Sequence, residues 1–203
     1  MAEYEQSYNN SCGAAALLCA AYELELDHIP QNGDYSLWEH DSIPLALTTA
    51  CEDRLYQVTS DNPSDENPAS WGYSMPSGIV KCARMLGLAA RVIAEPTWTV
   101  RALKFQYPEE INKLHQIAAL KEPLYRCFFG NHSRIQPHGD ERELRVLLSW
   151  QWATLGQMHY VMIRPDGSVM EPGEGLPFAN VRVAKTEVQK HGTGLSVFVR
   201  RAI

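Results

Sequence analysis

A chain of 203 residues, 45% hydrophobic and 21% charged, is long enough for one compact domain or two closely packed lobes and too apolar to be disordered. A formal charge of -6, a pI near 5.6 and no basic run longer than Arg200-Arg201 speak against a nucleic-acid binder, which gathers basic residues on one face. No stretch of about 18 apolar residues exists to span a membrane, and the first ten residues, MAEYEQSYNN, carry neither a basic leader nor an apolar run.

Five cysteines, at positions 12, 19, 51, 82 and 127, form an odd set without a CxxC spacing. That usage fits a chain made in a reducing cytoplasm, either resident there or exported into a target cell without a cleaved signal peptide.

Residues 12–26, CGAAALLCAAYELEL, predict a helix, because alanine and leucine are the best helix formers and no proline interrupts them. Asn10 or Ser11 is placed to cap its start. Small apolar residues on most of its sides predict burial on more than one face. Residues 28–40 and 59–75, rich in Pro, Asn, Asp, Ser and Gly, read as surface loops. Helices are expected over 43–56, over 76–88 with Pro76 at the start and Gly87 at the end, and over 108–122. A strand is expected at 90–95. The final third changes character: 143–154, 159–164, 168–172, 180–184 and 195–201 are β-branched and aromatic and read as strands. Helices first and an antiparallel sheet afterwards define an α+β chain. We read it as a single domain over 1–203, with a helical lobe over about 1–125 and a β lobe over about 126–203.

Arg164-Pro165-Asp166-Gly167-Ser168 specifies a three-residue hairpin loop, with proline in a type I turn and glycine in the left-handed position. In that register positions summing to 332 face one another, so Val161 opposes Glu171 and His159 lies one diagonal from Glu171. Diagonal neighbours stand about 7–8 Å apart, within reach of a glutamate. A two-residue loop brings Glu174 opposite His159 instead.

Cys12 sits where unpaired backbone amides and the helix dipole stabilise an anion, so its thiol is set to ionise. His159 on a facing sheet is suited to pair with it, and Glu171 to fix the imidazole tautomer. Gln6, six positions upstream, is placed to direct its amide at a developing oxyanion together with the Cys12 N–H. The default reading of a lone cysteine is a small buried hydrophobe. Gln6, the cap and Gly13 separate Cys12 from that default, whereas Cys19, Cys51 and Cys82 fit it. Cys127, His132 and His138 match no zinc spacing and lack a fourth ligand, so neither metal nor cofactor is expected. The tryptophans at 71, 98, 150 and 152 read as core or cleft wall, and Trp71-Gly72-Tyr73 as a segment that lines a substrate groove.

The stretch Gln6-Ser-Tyr-Asn-Asn-Ser-Cys12-Gly13-Ala-Ala, followed later by His159-Tyr160-Val161 and Glu171-Pro172, resembles the papain-like cysteine peptidases. Within them it is most similar to the double-glycine leader peptidase group, whose acid is usually aspartate or asparagine. The resemblance implies a helical lobe bearing the thiol, a sheet lobe bearing the histidine, and a cleft between them. Together these readings describe a cysteine protease acting on a protein or peptide, as a processing enzyme or as a toxin or effector with a cognate inhibitor or immunity partner. Acyl transfer or deamidation by the same site, and an inactive peptide-binding domain, are the alternatives.

Overall fold

The computed structural model describes residues 1–30, 42–63, 67–130, 136–151 and 154–202. Among them are six α-helices and a seven-stranded mixed sheet, so the chain is α+β. The expected loop 28–40 falls mostly outside these residues, as do His132 and the side chains of Trp150 and Trp152.

Helix α1 (Cys12–Glu23) is buried continuously from Cys12 to Ala21. Its small residues let helix α2 (Thr49–Thr59) and the sheet approach from two sides. Burying Leu17 and Leu18, both 0% exposed, stabilises the fold by about 1.5–3 kcal/mol each. Gly13 marks the tightest approach: a Cβ there would stand 2.5 Å from Ser74 Cβ and 3.1 Å from Tyr160 Cδ2.

Before α2, β1 (His28–Ile29) pairs with β2 (Ile43–Pro44), so the helix expected from 43 starts later. Thr48 fixes that start by accepting from Cys51 N. Helix α3 (Pro76–Met85) closes with Gly87 in the left-handed region at φ 71°. Strand β3 (Leu88–Ala94) follows. Helices α4 (Trp98–Gln106) and α5 (Pro108–Leu120) then carry the chain to β4 (Tyr125–Phe129), which lies parallel to β3. A parallel pair needs such a long crossover, and it makes the sheet mixed where an antiparallel one was expected. α4 was absent from the sequence reading; Thr97 caps it by accepting from Val100 N. It leaves Trp98 53% exposed, so this tryptophan is not core.

Strands β5 (Glu141–Gln151), β6 (Thr154–Ile163), β7 (Val169–Glu171), β8 (Leu176–Phe178) and β9 (His191–Arg201) complete the sheet in the order β4-β3-β9-β5-β6-β7-β8. Residues 180–184, expected as a strand, open helix α6 (Val181–Glu187) instead. The Asn180 side chain accepts from Arg182 N and Val183 N, a cap that overrides the β-branched pattern. α6 packs Ala184, Val181 and Val188 over Leu147, Val161, Ile163 and Val169. The sheet is therefore covered on one face by α1 and α3 and on part of the other by α6.

Candidate active site

The turn after β6 closes with Arg164 N donating to Ser168 O at 2.9 Å, and Gly167 takes φ 83°. Met162 faces Met170 and Ile163 faces Val169, the register in which paired positions sum to 332. Only these two pairs join β6 to β7. Beyond them Tyr160 N has no strand partner and donates to Cys12 Sγ at 3.4 Å. The start of α1 is thereby wedged against the open edge of β6, where His159 and Glu171 converge.

His159 Nε2 bonds to Glu171 Oε1. The glutamate is held in turn by Gly173 N at 2.8 Å on Oε1 and Glu174 N at 3.0 Å on Oε2. Glu174 is exposed and lends only its amide, so the carboxylate that meets the imidazole belongs to Glu171. Because Nε2 is taken by Glu171, Nδ1 is the nitrogen left to exchange a proton with Cys12.

Burial alone would hold all three groups neutral, since Cys12 is 2%, His159 5% and Glu171 2% exposed. Mutual pairing overrides it. Burial raises the Cys12 pKa, but the hydrogen bond and charge of His159 and the Tyr160 amide bring it below the usual thiol value. Burial likewise works against charge on His159, yet Cys12 and Glu171 lift it to about 9. Glu171 is held below the usual carboxyl value, because His159 and the two amides outweigh its burial. A thiolate–imidazolium pair is the consistent state near neutral pH.

Ser11 occupies the cap position of α1 but does not cap it; its hydroxyl donates to Tyr8 O at 2.8 Å and accepts from Tyr8 N at 3.2 Å. Asn10 is also turned away, donating to Trp71 O. The side chains expected to cap the helix thus leave its first amides free of them. Gln6 is placed beside this end by its own N–H, which donates to Pro172 O at 2.7 Å. Its Nε2 donates one hydrogen to Tyr8 O at 2.7 Å, and its buried Oε1 has no partner. An Nε2 carries two hydrogens, so one remains.

Trp71-Gly72-Tyr73 is more firmly tied than a surface loop. Trp71 is 5% exposed, tilts against Tyr56 at 5.2 Å between centroids, and accepts from Tyr56 Oη and Asn10 Nδ2. Tyr8, Tyr56 and Ser74 line the same region and escaped the sequence reading, because they come from separate segments without a shared motif. Lys190 was missed for the same reason: it precedes β9, yet feels the charges of Cys12 and Glu171. Cys19, Cys51 and Cys82 are buried free thiols far from these roles.

A helix-borne thiol, a strand-borne imidazole and a carboxylate fixing the imidazole form the arrangement by which cysteine-nucleophile hydrolases work. The chain belongs to the family described as invasion plasmid antigen J, cysteine protease, whose sequence profile matches residues 4–202. It is similar to the cysteine protease IpaJ of Shigella flexneri, with 39% identity over 177 residues, 84% of this chain and 64% of that protein. The chain thus spans less than two thirds of that relative's length. No solved structure matches it. Among the described residues no helix is long and apolar enough to cross a membrane.

Proposed function

We propose that this chain is a papain-like cysteine protease in which Cys12 is the nucleophile, His159 the acid and base, Glu171 the residue that orients His159, and Gln6 an oxyanion donor. The observation that carries the reading is His159 bound through Nε2 to Glu171 while the amide of the next residue, Tyr160, donates to the Cys12 sulfur at 3.4 Å, bringing thiol, imidazole and carboxylate to one place. The order Gln, Cys, His, acid, shared with the double-glycine leader peptidases, supports the papain-like layout.

The Cys12 thiolate attacks the scissile carbonyl carbon, and the carbonyl oxygen becomes an oxyanion facing the spare Gln6 hydrogen and the Cys12 amide. His159 Nδ1–H protonates the amine as the C–N bond breaks, leaving an acyl thioester. Water then adds to the thioester, giving its proton to His159 Nδ1. The C–S bond breaks, the acid leaves, and the proton left on the imidazole restores the ion pair.

The substrate is a protein, and a bacterial effector acting on a target in another cell is the setting that the family's description as an invasion plasmid antigen supports. Wild type and Cys12→Ala are incubated with a target-cell extract, and new protein termini are mapped by mass spectrometry. Termini found with wild type alone support proteolysis. A shift of about one mass unit or amine cross-links without cleavage would replace it by deamidation or acyl transfer. Identical termini in both samples would overturn the enzymatic reading.

A further inference from the structure

The face of the sheet that carries His159 also holds a hollow of about 900 Å³. Its floor comes from β5, β9 and the end of β3, and one wall is α6. His159, Leu147 and Gly192 stand in one row across β6, β5 and β9. Lys190, two residues before Gly192, forms the end of the hollow nearest the triad. Its ammonium is close enough to Cys12 and Glu171 for their charges to act on it.

We propose that this groove seats an acidic segment of the substrate polypeptide, with Lys190 and Arg182 as the residues that recognise its carboxylates. The inference rests on the proteolytic reading above. Four cations, Arg145, Arg182, Lys185 and Lys190, line the groove against two carboxylates, Glu95 and Glu143. In a chain with net charge -6 this is a local reversal of sign, which attracts an anion.

Glu143 is already neutralised: Arg145 clasps it through two nitrogens at 2.7 and 2.9 Å, and Ser196 Oγ donates to it at 2.7 Å. Arg182 and Lys190 form no ion pair among the described residues, so their charge is open to a ligand. Burial lowers the Lys190 pKa, and an arriving carboxylate would offset that cost.

The groove has room for a backbone: its volume lies at the upper end of the ~300–1,000 Å³ of ordinary ligand pockets, enough for several residues in extended form. A nucleic acid fits less well. Two carboxylates interrupt the cationic surface, and the lining aromatic, Phe198, is 3% exposed and offers no face for stacking.

The test uses the whole chain as Cys12→Ala, so that binding is read apart from catalysis, with fluorescein-labelled hexaglutamate as probe and hexalysine and octathymidylate as competitors. Fluorescence anisotropy is expected to show hexaglutamate binding that weakens with salt and at least about tenfold on Lys190→Gln with Arg182→Gln, as for loss of two charge contacts. Lys190→Arg should retain it. In a second arm, the ratio of Cys12 labelling rates by iodoacetate and iodoacetamide cancels any difference in access. It should fall several-fold in Lys190→Gln carrying the native Cys12.

Hexaglutamate binding that is absent or indifferent to the paired substitution overturns the proposal, as does tighter binding of octathymidylate or an unchanged labelling ratio. Fast labelling of Cys12 beside absent hexaglutamate binding would sink the groove and spare the proteolytic reading. Slow labelling beside intact binding would do the reverse.

Discussion

At the residue scale, the chemistry turns on which way three coupled protons lie. A thiolate–imidazolium pair persists from the lowered pKa of Cys12 up to about 9, where His159 loses its proton. The iodoacetamide labelling rate of Cys12, followed against pH, should therefore inflect below the ordinary thiol value of about 8.5. His159→Ala should move that inflection upward, since it leaves burial unopposed by the imidazole. An inflection unmoved by His159→Ala would detach the imidazole from the thiol. The same pairings couple to stability with opposite signs. His159, raised, stabilises fully below its unfolded value of 6.5, and this is lost as pH rises through about 9. Glu171, lowered, stabilises above its unfolded value of 4.5, and this is lost as pH falls through its folded one. Gln6 belongs to the transition state, not to this ground-state pair. Gln6→Ala should lower kcat by about 10²–10³, as loss of one oxyanion donor does, with KM and the labelling profile nearly unchanged. Steady-state kinetics on a cleaved peptide checks it, and a drop confined to KM would remove Gln6 from the oxyanion.

At the scale of elements, the site is made by two ends meeting: the start of α1 and the edge of β6 beyond its last pair with β7. Gly13 permits the meeting, since a Cβ there would overlap Ser74 and crowd Tyr160. Gly13→Ala should destabilise by about 1–3 kcal/mol, the usual effect of overpacking. Combining it with Ser74→Gly should restore much of the loss, and the two urea midpoints measure this. The hairpin register was legible in sequence because Pro165, Asp166 and Gly167 each have one favourable place in such a turn, which fixes His159 relative to Glu171. The buried helix was legible too, through its unbroken alanines and leucines. α6 was not, since Val181 and Val183 read as a strand until the Asn180 cap is seen in place. Nor was the closed lining of Trp71, Tyr56 and Tyr8, which is assembled from segments far apart in the chain. Ser11 carried a sound capping signal, but the nearby turn at Tyr8 competed for its hydroxyl and won.

At the scale of the molecule, Gln6 must be carried from the N-terminal segment to a site built by α1 and the sheet, so that segment has to be fixed to both. Glu23, at the end of α1 with its side chain 8% exposed, does much of this. It accepts from Ala2 N at 2.9 Å, Arg142 Nε at 2.7 Å and Arg164 Nε at 2.7 Å, while Arg164 Nη2 donates back to Ala2 O. Further along, the fully buried Glu52 accepts from Ser7 N through both oxygens and from Tyr4 Oη. Between these two carboxylates Gln6 is pinned to Pro172, next to Glu171. Glu23→Gln removes the charge facing two guanidinium groups and should cost about 3–5 kcal/mol, the range for breaking a buried ion pair. Urea unfolding measures that loss. Below the transition the variant still has Cys12 against His159, so iodoacetamide should label the thiol at close to the wild-type rate. Turnover should fall as in Gln6→Ala, because the segment that positions the amide has lost one of its three anchors. A variant that is destabilised yet turns over normally would show that Glu52 and Pro172 suffice to place Gln6. One that loses labelling and turnover together would show that Glu23 holds the two halves of the site in register as well as the segment that crosses them.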